Sequence, residues 1–473
     1  MTRFAPRARP FTPWFAAILL TYAIGFCIFY PNVFTATDEA FYVEQAMAFA
    51  TGSIALRDGV RADVPLEAMS DYPPGTSLLQ APFVLLGGWR AAAWASVLAM
   101  AVTVLVLARW LHESGYASGF ALLFLAYAPT LAVGRLALSD MPSAAVVTSG
   151  LWLFWTGAGS RWKWSTAGLL AGLSLLFRET NILLFVPFFV AAVLRRDCHW
   201  KALVAGAAIG VAGRLLAAQW LFGSPFGVSY SEGWSVAAAV DAVPLYAFAL
   251  LVLVPGGLIA VAVYRGQRRG ELIAAVALFL AVYVFANYSG QSSEPLVRLG
   301  SAGRYLIPLV PLITIAWADA VSRRVSSDRL GAIVPVACGA MIIAAFAVHV
   351  TIDRWSARDA AIVQDIYAST ADGGALVADV GNHRYVSPVY GRRVRISMSA
   401  TPVNELPAIK EQYVSAHIVV VDRFDTALMA ASFPYAETYL AEAHRRCQLD
   451  PVLDRSYGLT RRLRIWAVRS CAA

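Results

Sequence analysis

Long apolar stretches recur along most of this chain, and acidic residues are almost absent from them. Each stretch is close to the ~20 residues a helix needs to cross ~30 Å of hydrocarbon. Hydropathy predicts about eleven spans, at 13–31, 89–111, 117–135, 141–158, 163–178, 181–194, 200–222, 243–264, 271–288, 304–321 and 331–350. Only 14% of the 473 residues are charged and 59% are hydrophobic, whereas a soluble domain carries about 25% charged residues, so a soluble globule is excluded. From about Asp353 onward the pattern changes to short β-rich runs at 375–380, 417–422 and 463–468, separated by polar helices. The expected fold is therefore an α-helical polytopic membrane protein with a small C-terminal α/β soluble domain. The division falls at 1–352 and 353–473, and the first outer loop, 32–88, is long enough to be structured.

The formal charge of +8 raises the question of nucleic acid, but the positions of the basic residues answer it. Arg3, Arg7 and Arg9 precede the first span. Arg161 with Lys163, Arg195 with Arg196 and Lys201, Arg265 with Arg268 and Arg269, and Arg323 with Arg324 and Arg329 fill every second loop after it. Such loops face the cytoplasm. The segment 32–75 has the opposite balance, with Asp38, Glu39, Glu44, Asp58, Asp63, Glu67 and Asp71, and faces outward. An odd number of spans places the C-terminal domain outward as well, and no nucleic-acid partner is expected. The first span has the basic start of a signal peptide, yet Phe29-Tyr30-Pro31-Asn32 offers no small-residue cleavage site, so it stays as an anchor. Of five cysteines only Cys447 and Cys471 lie together outside, where either a disulfide or two free thiols is open.

The candidate chemistry sits at the outer face. Asp38 and Glu39 open a predicted helix whose Tyr42, Ala46, Phe49 and Ala50 form one face suited to the bilayer surface, with Thr37 as cap and Gly52 as stop. Acidic residues belong in a first helical turn on electrostatic grounds alone; a carboxylate just above the membrane is also placed to take a proton from an acceptor hydroxyl. Ser139-Asp140-Met141-Pro142 is a good helix start in its own right, and it puts Asp140 on the same face as Asp38. Arg135, Arg178, Arg298 and Arg304 lie at outward ends against the charge rule, while Arg214 falls within a span and must snorkel or pair with a carboxylate. A guanidinium fork suits a lipid phosphate. His383 reads as an exposed loop residue without a second ligand nearby, and Gly373-Gly374 as a turn. No His/Cys cluster, nucleophile elbow or Walker loop appears.

Taken together, the uncleaved first span, Thr37-Asp38-Glu39-Ala40-Phe41-Tyr42, Tyr72-Pro73-Pro74-Gly75, Ser139-Asp140-Met141-Pro142 and Gly303-Arg304-Tyr305-Leu306-Ile307-Pro308 resemble the GT-C membrane glycosyltransferases. Within them the protein O-mannosyltransferase and lipid A aminoarabinose transferase group is most similar, over about residues 10–350. The resemblance implies an enzyme of the cytoplasmic (inner) membrane, active on its extracytoplasmic, periplasmic side. Such an enzyme moves a sugar from a polyprenyl-phosphate-linked donor to a glycan, lipid or protein acceptor with inversion, in cell-envelope work such as protein glycosylation or lipopolysaccharide modification. It implies Asp38, Glu39 and Asp140 as catalytic residues, Arg304, Arg178, Arg298 and Arg135 for the donor phosphate, and Tyr42, Tyr72 and Tyr305 for substrate. No cofactor is implied, and a divalent metal at Asp38, Glu39 and Asp140 is left open. Pro73-Pro74 stands where aminoarabinose transferases carry charged residues, which argues against lipid A as acceptor. The chemistry is coherent: a lipid phosphate leaves as a stabilised anion, so single displacement needs one base, a cation for the phosphate and exclusion of water. The competing class is a transporter or flippase of a lipid-linked or small polar substrate, which would place ionisable residues or broken helices at the membrane midplane.

Overall fold

The computed structural model describes residues 13–52, 72–226, 235–285, 302–325, 327–423, 429–458 and 460–471. Among these the chain is mainly helical. The first expected span forms α1 (Pro13–Ile28), and the long loop after it supplies α2 (Thr37–Ala50) and α3 (Gly75–Gly87). There follow α4 (Trp94–Glu113), α5 (Leu122–Ala126), α6 (Ala128–Val133), α7 (Asp140–Thr156), α8 (Arg161–Ser174), α9 (Val186–Leu194), α10 (Trp200–Phe222), α11 (Val236–Phe248), α12 (Gly257–Val263), α13 (Arg269–Phe285), α14 (Val310–Ser322) and α15 (Ser327–Ser369).

Four described helical runs are long and apolar enough to cross a membrane by themselves: Trp89–Glu113, Trp200–Phe222, Arg304–Ser322 and Ile333–Ser369. A fifth arises if Ala239–Leu253 and Gly257–Val263, bent by 84° to each other, count as one. Other expected spans are helices interrupted by tighter turns, several at prolines, which remove a backbone donor and crowd the preceding turn. The stretch 117–135 is a 3-10 turn followed by α5 and α6, with Pro129 opening α6. Likewise 3-10 turn Glu179–Leu184 leads into α9, which carries Pro187 in its first turn.

One helix pair is built on glycine. Gly168 and Gly172 of α8 face Gly206 and Gly210 of α10, and a Cβ on Gly168 would sit 2.0 Å from the Leu203 carbonyl oxygen. Small residues four apart allow two helix backbones to touch, a common means of packing in lipid. Gly168→Val should therefore force the pair apart. A loss of more than about 3 kcal/mol, the upper end for overpacking, is expected because the obstacle is backbone, and it would be read as a lowered Tm of the purified protein.

The face of α2 expected to meet the bilayer surface is partly turned into the protein. Tyr42 and Ala46 are buried inside the protein, because α2 has α3 on one side and the C-terminal domain on another. Thr37 is the first helical residue rather than the cap.

The C-terminal domain begins within a helix: α15 continues past residue 352 without a break, and its Ile362, Val363 and Ile366 pack on the sheet. The sheet has strand order β2-β1-β3-β5-β4, with β1 (Ala375–Ala378), β2 (Val394–Ser397), β3 (Ala416–Arg423), β4 (Cys447–Tyr457) and β5 (Arg461–Cys471). β1 pairs in parallel with β2 and β3, while β5 pairs antiparallel with β3 and β4. Side chains alternate between two faces, as a strand's period of two requires. Ile418 and Val420 meet the core beside α16 (Leu406–Gln412) and α17 (Met429–Arg446), and Val419 and Val421 meet α15. Cys447 and Cys471 are bonded across the β4–β5 pair. Since the bond closes a separation of 24 residues, Cys471→Ser should cost the domain about 3 kcal/mol, measurable as a lower unfolding midpoint.

Candidate active site

A cavity of about 230 Å³ opens at one end of the helices, where residues distant in sequence meet. The first two turns of α2 bring Asp38 and Tyr42, the approach to α3 brings Tyr72 and Pro73, and the turn before α7 brings Leu138 and Ser139. Phe177, Arg178, Glu179 and Thr180 follow α8, Tyr283 ends α13, and Arg304 and Tyr305 open the 3-10 turn Arg304–Leu309 that leads into α14. Backbone contacts fix two of these segments together: Gly75 donates its N–H to the Leu176 carbonyl at 2.7 Å, and a Cβ on Gly75 would lie 2.6 Å from that oxygen.

Two ion pairs dominate the site. Arg304 donates from Nη2 to Asp38 Oδ2 at 2.6 Å, and the Tyr72 hydroxyl donates to Asp38 Oδ1 at 3.0 Å. Arg178 donates from Nη2 to Asp140 Oδ1 at 2.7 Å and from Nε to Ser139 Oγ at 3.0 Å. Both guanidinium groups stand over the Tyr305 ring, 4.9 Å away for Arg178 and 5.1 Å for Arg304. Tyr305 is itself stacked on Tyr283 at 5.4 Å, whose hydroxyl shares a 2.7 Å hydrogen bond with Thr180. The cations are thus held by a ring face as well as by a carboxylate. Arg178 Nη1 and Arg304 Nε are buried with no hydrogen-bond partner among the described residues. Unpaired buried donors are costly, and the two cations that carry them line one cavity, an arrangement suited to an anionic ligand.

Burial pushes the Asp38 carboxyl up, but Arg304 beside it, the Tyr72 hydroxyl and the more distant Arg178 outweigh that and hold it below its ordinary value. Glu39 goes the other way, raised by burial despite its hydrogen bonds. Its Oε2 accepts from the Thr35 and Ala36 N–H groups at 2.7 and 2.9 Å, and Oε1 accepts from Ala137 N–H at 2.9 Å. Both oxygens of Glu39 therefore hold backbone, tying the start of α2 to the loop before α7.

The sequence-derived candidates separate clearly. Asp38, Tyr42, Tyr72, Arg178, Arg304 and Tyr305 line the cavity, with Asp140 directly behind it on Arg178. Arg135 does not line it: its guanidinium is spent on the carbonyl oxygens of His349 and Phe29, at 3.0 and 2.8 Å. Arg298 lies outside the described residues. Arg214 pairs with Glu179 at 2.6 Å, one of the two alternatives open to it. His383 is buried, not exposed, because its loop is pressed against Phe41 of α2, with ring centroids 5.8 Å apart. Desolvation first, then Arg395, lower its pKa to about 2. Thr180, Glu179 and Tyr283 were not singled out from sequence, although Arg178-Glu179-Thr180 is a conspicuous polar step between two apolar runs. Among the described residues no three His, Cys, Asp or Glu side chains form a group fit for a metal. Glu39 is turned to backbone, and Asp38 and Asp140 each face an arginine.

The dolichyl-phosphate-mannose-protein mannosyltransferase family model matches residues 71–220. No curated protein matches the chain significantly. Among solved structures it is similar to ArnT from Cupriavidus metallidurans, both bound to undecaprenyl phosphate and in the apo state. Each has a TM-score of 0.63 and 15% identity, over 96% of this chain and 98% of that one. The chain thus has the fold of the GT-C membrane glycosyltransferases, as its motifs implied.

Proposed function

We propose that this protein transfers a sugar from a polyprenyl-phosphate-linked donor to an acceptor hydroxyl at the extracytoplasmic face of the inner membrane. The observation that carries the reading is the meeting in one cavity of a carboxylate, Asp38, with two arginines, Arg178 and Arg304, each with a donor unpaired among the described residues. The similar ArnT structure that holds undecaprenyl phosphate suggests the class of lipid. In this reading the acceptor oxygen attacks the anomeric carbon as Asp38 takes its proton. The bond to the lipid phosphate breaks on the opposite side, with inversion, and Arg304 and Arg178 receive the charge that develops on the leaving oxygen. A phosphate that engages Arg304 also weakens that cation's pull on Asp38, which raises the basicity of Asp38 as the donor arrives. Tyr305, stacked beneath both guanidinium groups, keeps them aimed.

The test is chemical. Purified protein in nanodiscs, given a polyprenyl-phosphate sugar and membrane extract as acceptor source, should consume the donor and release the lipid phosphate. The transporter reading draws on the 84° break between Leu253 and Gly257, a form found at transporter midplanes, but that break contributes no residue to the cavity. Movement of the intact donor across vesicles with no release of lipid phosphate would favour transport and overturn the proposal.

A further inference from the structure

Asp38 sits on a short helix that the C-terminal domain grips at two points. Before the helix, Arg384 donates to the Thr35 carbonyl oxygen and the Tyr390 hydroxyl accepts from Phe34 N–H at 2.7 Å. Beyond Asp38, Arg395 of β2 forms a two-pronged pair with Glu44, Nη1 to Oε1 at 3.0 Å and Nη2 to Oε2 at 2.8 Å. Ser387 also donates to Glu44 Oε1, and the Arg395 guanidinium stands 5.0 Å over the Phe41 ring. Arg395 and Glu44 are 1% and 7% exposed, so the pair is desolvated and fixed in geometry. Arg384 is braced in turn by Asp359 of α15 at 3.0 Å. These contacts lie on either side of Asp38, while Asp38 itself faces away from the domain, toward Arg304 and Tyr72.

We propose that the C-terminal domain is a positioning element for catalysis, in which Arg395 and Arg384 clamp segment 34–44 and so hold Asp38 at the distance the acceptor requires. A carboxylate must be held within a fraction of an ångström to act as a base, and a displacement of ~1 Å costs about 10²-fold in rate. Charge alone does not give that precision. A bidentate guanidinium does, and an ammonium in its place does not.

The proposal rests on the sugar-transfer reading for its turnover measurement only. The full chain in nanodiscs is compared with Arg395→Lys by three readouts: turnover, affinity for undecaprenyl phosphate, and hydrogen–deuterium exchange of segment 35–45. Turnover should fall about 10- to 100-fold, affinity for the lipid phosphate should stay within about threefold, and exchange in 35–45 should rise while that in α4 does not. Arg384→Lys, which loosens the other end, should repeat the pattern and serves as the test if Arg395→Lys fails to fold. Unchanged exchange in both variants overturns the proposal. So does raised exchange with unchanged turnover, and so does a parallel loss of turnover and lipid affinity, which marks general unfolding. A wild-type protein that transfers no sugar sinks the functional reading by itself, and exchange then decides whether the clamp holds α2.

Discussion

Asp38→Asn should leave the protein folded and lower sugar transfer by about 10²-fold or more, the usual range for removing a general base. The substitution keeps the shape and the contact with Tyr72 but removes the proton acceptor. Donor affinity should rise or stay level, since one competitor for Arg304 is gone. A folded Asp38→Asn enzyme with normal turnover would remove Asp38 from the mechanism. The pH dependence follows from the same contacts. In the proposed mechanism the active form is the carboxylate, and Arg304, Tyr72 and Arg178 hold its pKa below the ordinary value, so kcat/KM should be level through neutral pH and fall only below the usual aspartate range. Replacing Arg304 with Gln should move that acid limb upward. For stability the sign is the same: the lowered folded-state pKa contributes stability above the unfolded value, and this is lost as pH falls through the folded one.

Arg304→Lys should be nearly as damaging, with turnover down about 10²- to 10³-fold, in the range for losing one donor to a transition-state anion. Arg304 pairs with Asp38 through one nitrogen, lies over Tyr305 and has a buried Nε without a partner among the described residues, and the last two depend on a planar fork. Lysine keeps the charge and one of these. Simple anchoring at the membrane interface would tolerate lysine freely. Retention of both donor affinity and turnover would pass the phosphate to Arg178, which also lines the cavity and whose Nη1 has no partner among the described residues.

What could be read from the chain beforehand depended on how local its cause was. The polytopic class, the outer-loop helices and the strands β1, β3 and β5 all follow from apolar period and composition within a short window. Asp38, Asp140 and Arg304 were legible because each sits in a compact motif at a helix start. The pairing of Arg304 with Asp38, 266 residues apart, was not, nor was the 351-residue reach from Arg395 to Glu44. Such contacts are decided by how helices pack, and one sequence carries no local trace of it. β4 escaped notice because it is an edge strand, carries Pro451 and exposes much of both faces. β2 is only four residues long and one of them is the buried Arg395. The buried His383 was misjudged because a loop composition says nothing of what presses on the loop from outside.

The two arginines lining the cavity, Arg178 and Arg304, each already face a carboxylate, and Glu179 at its wall faces Arg214. Opposite charges so close to one another present little net field to the surroundings. Capture of an anionic lipid should then owe little to long-range attraction, and association rates should change only weakly with ionic strength across the range where screening shortens from about 30 to 8 Å. Discrimination between a polyprenyl phosphate and the abundant anionic phospholipids of the same leaflet would rest on the spacing of two guanidinium forks and the ring between them, so an excess of bulk anionic lipid should compete poorly for the site.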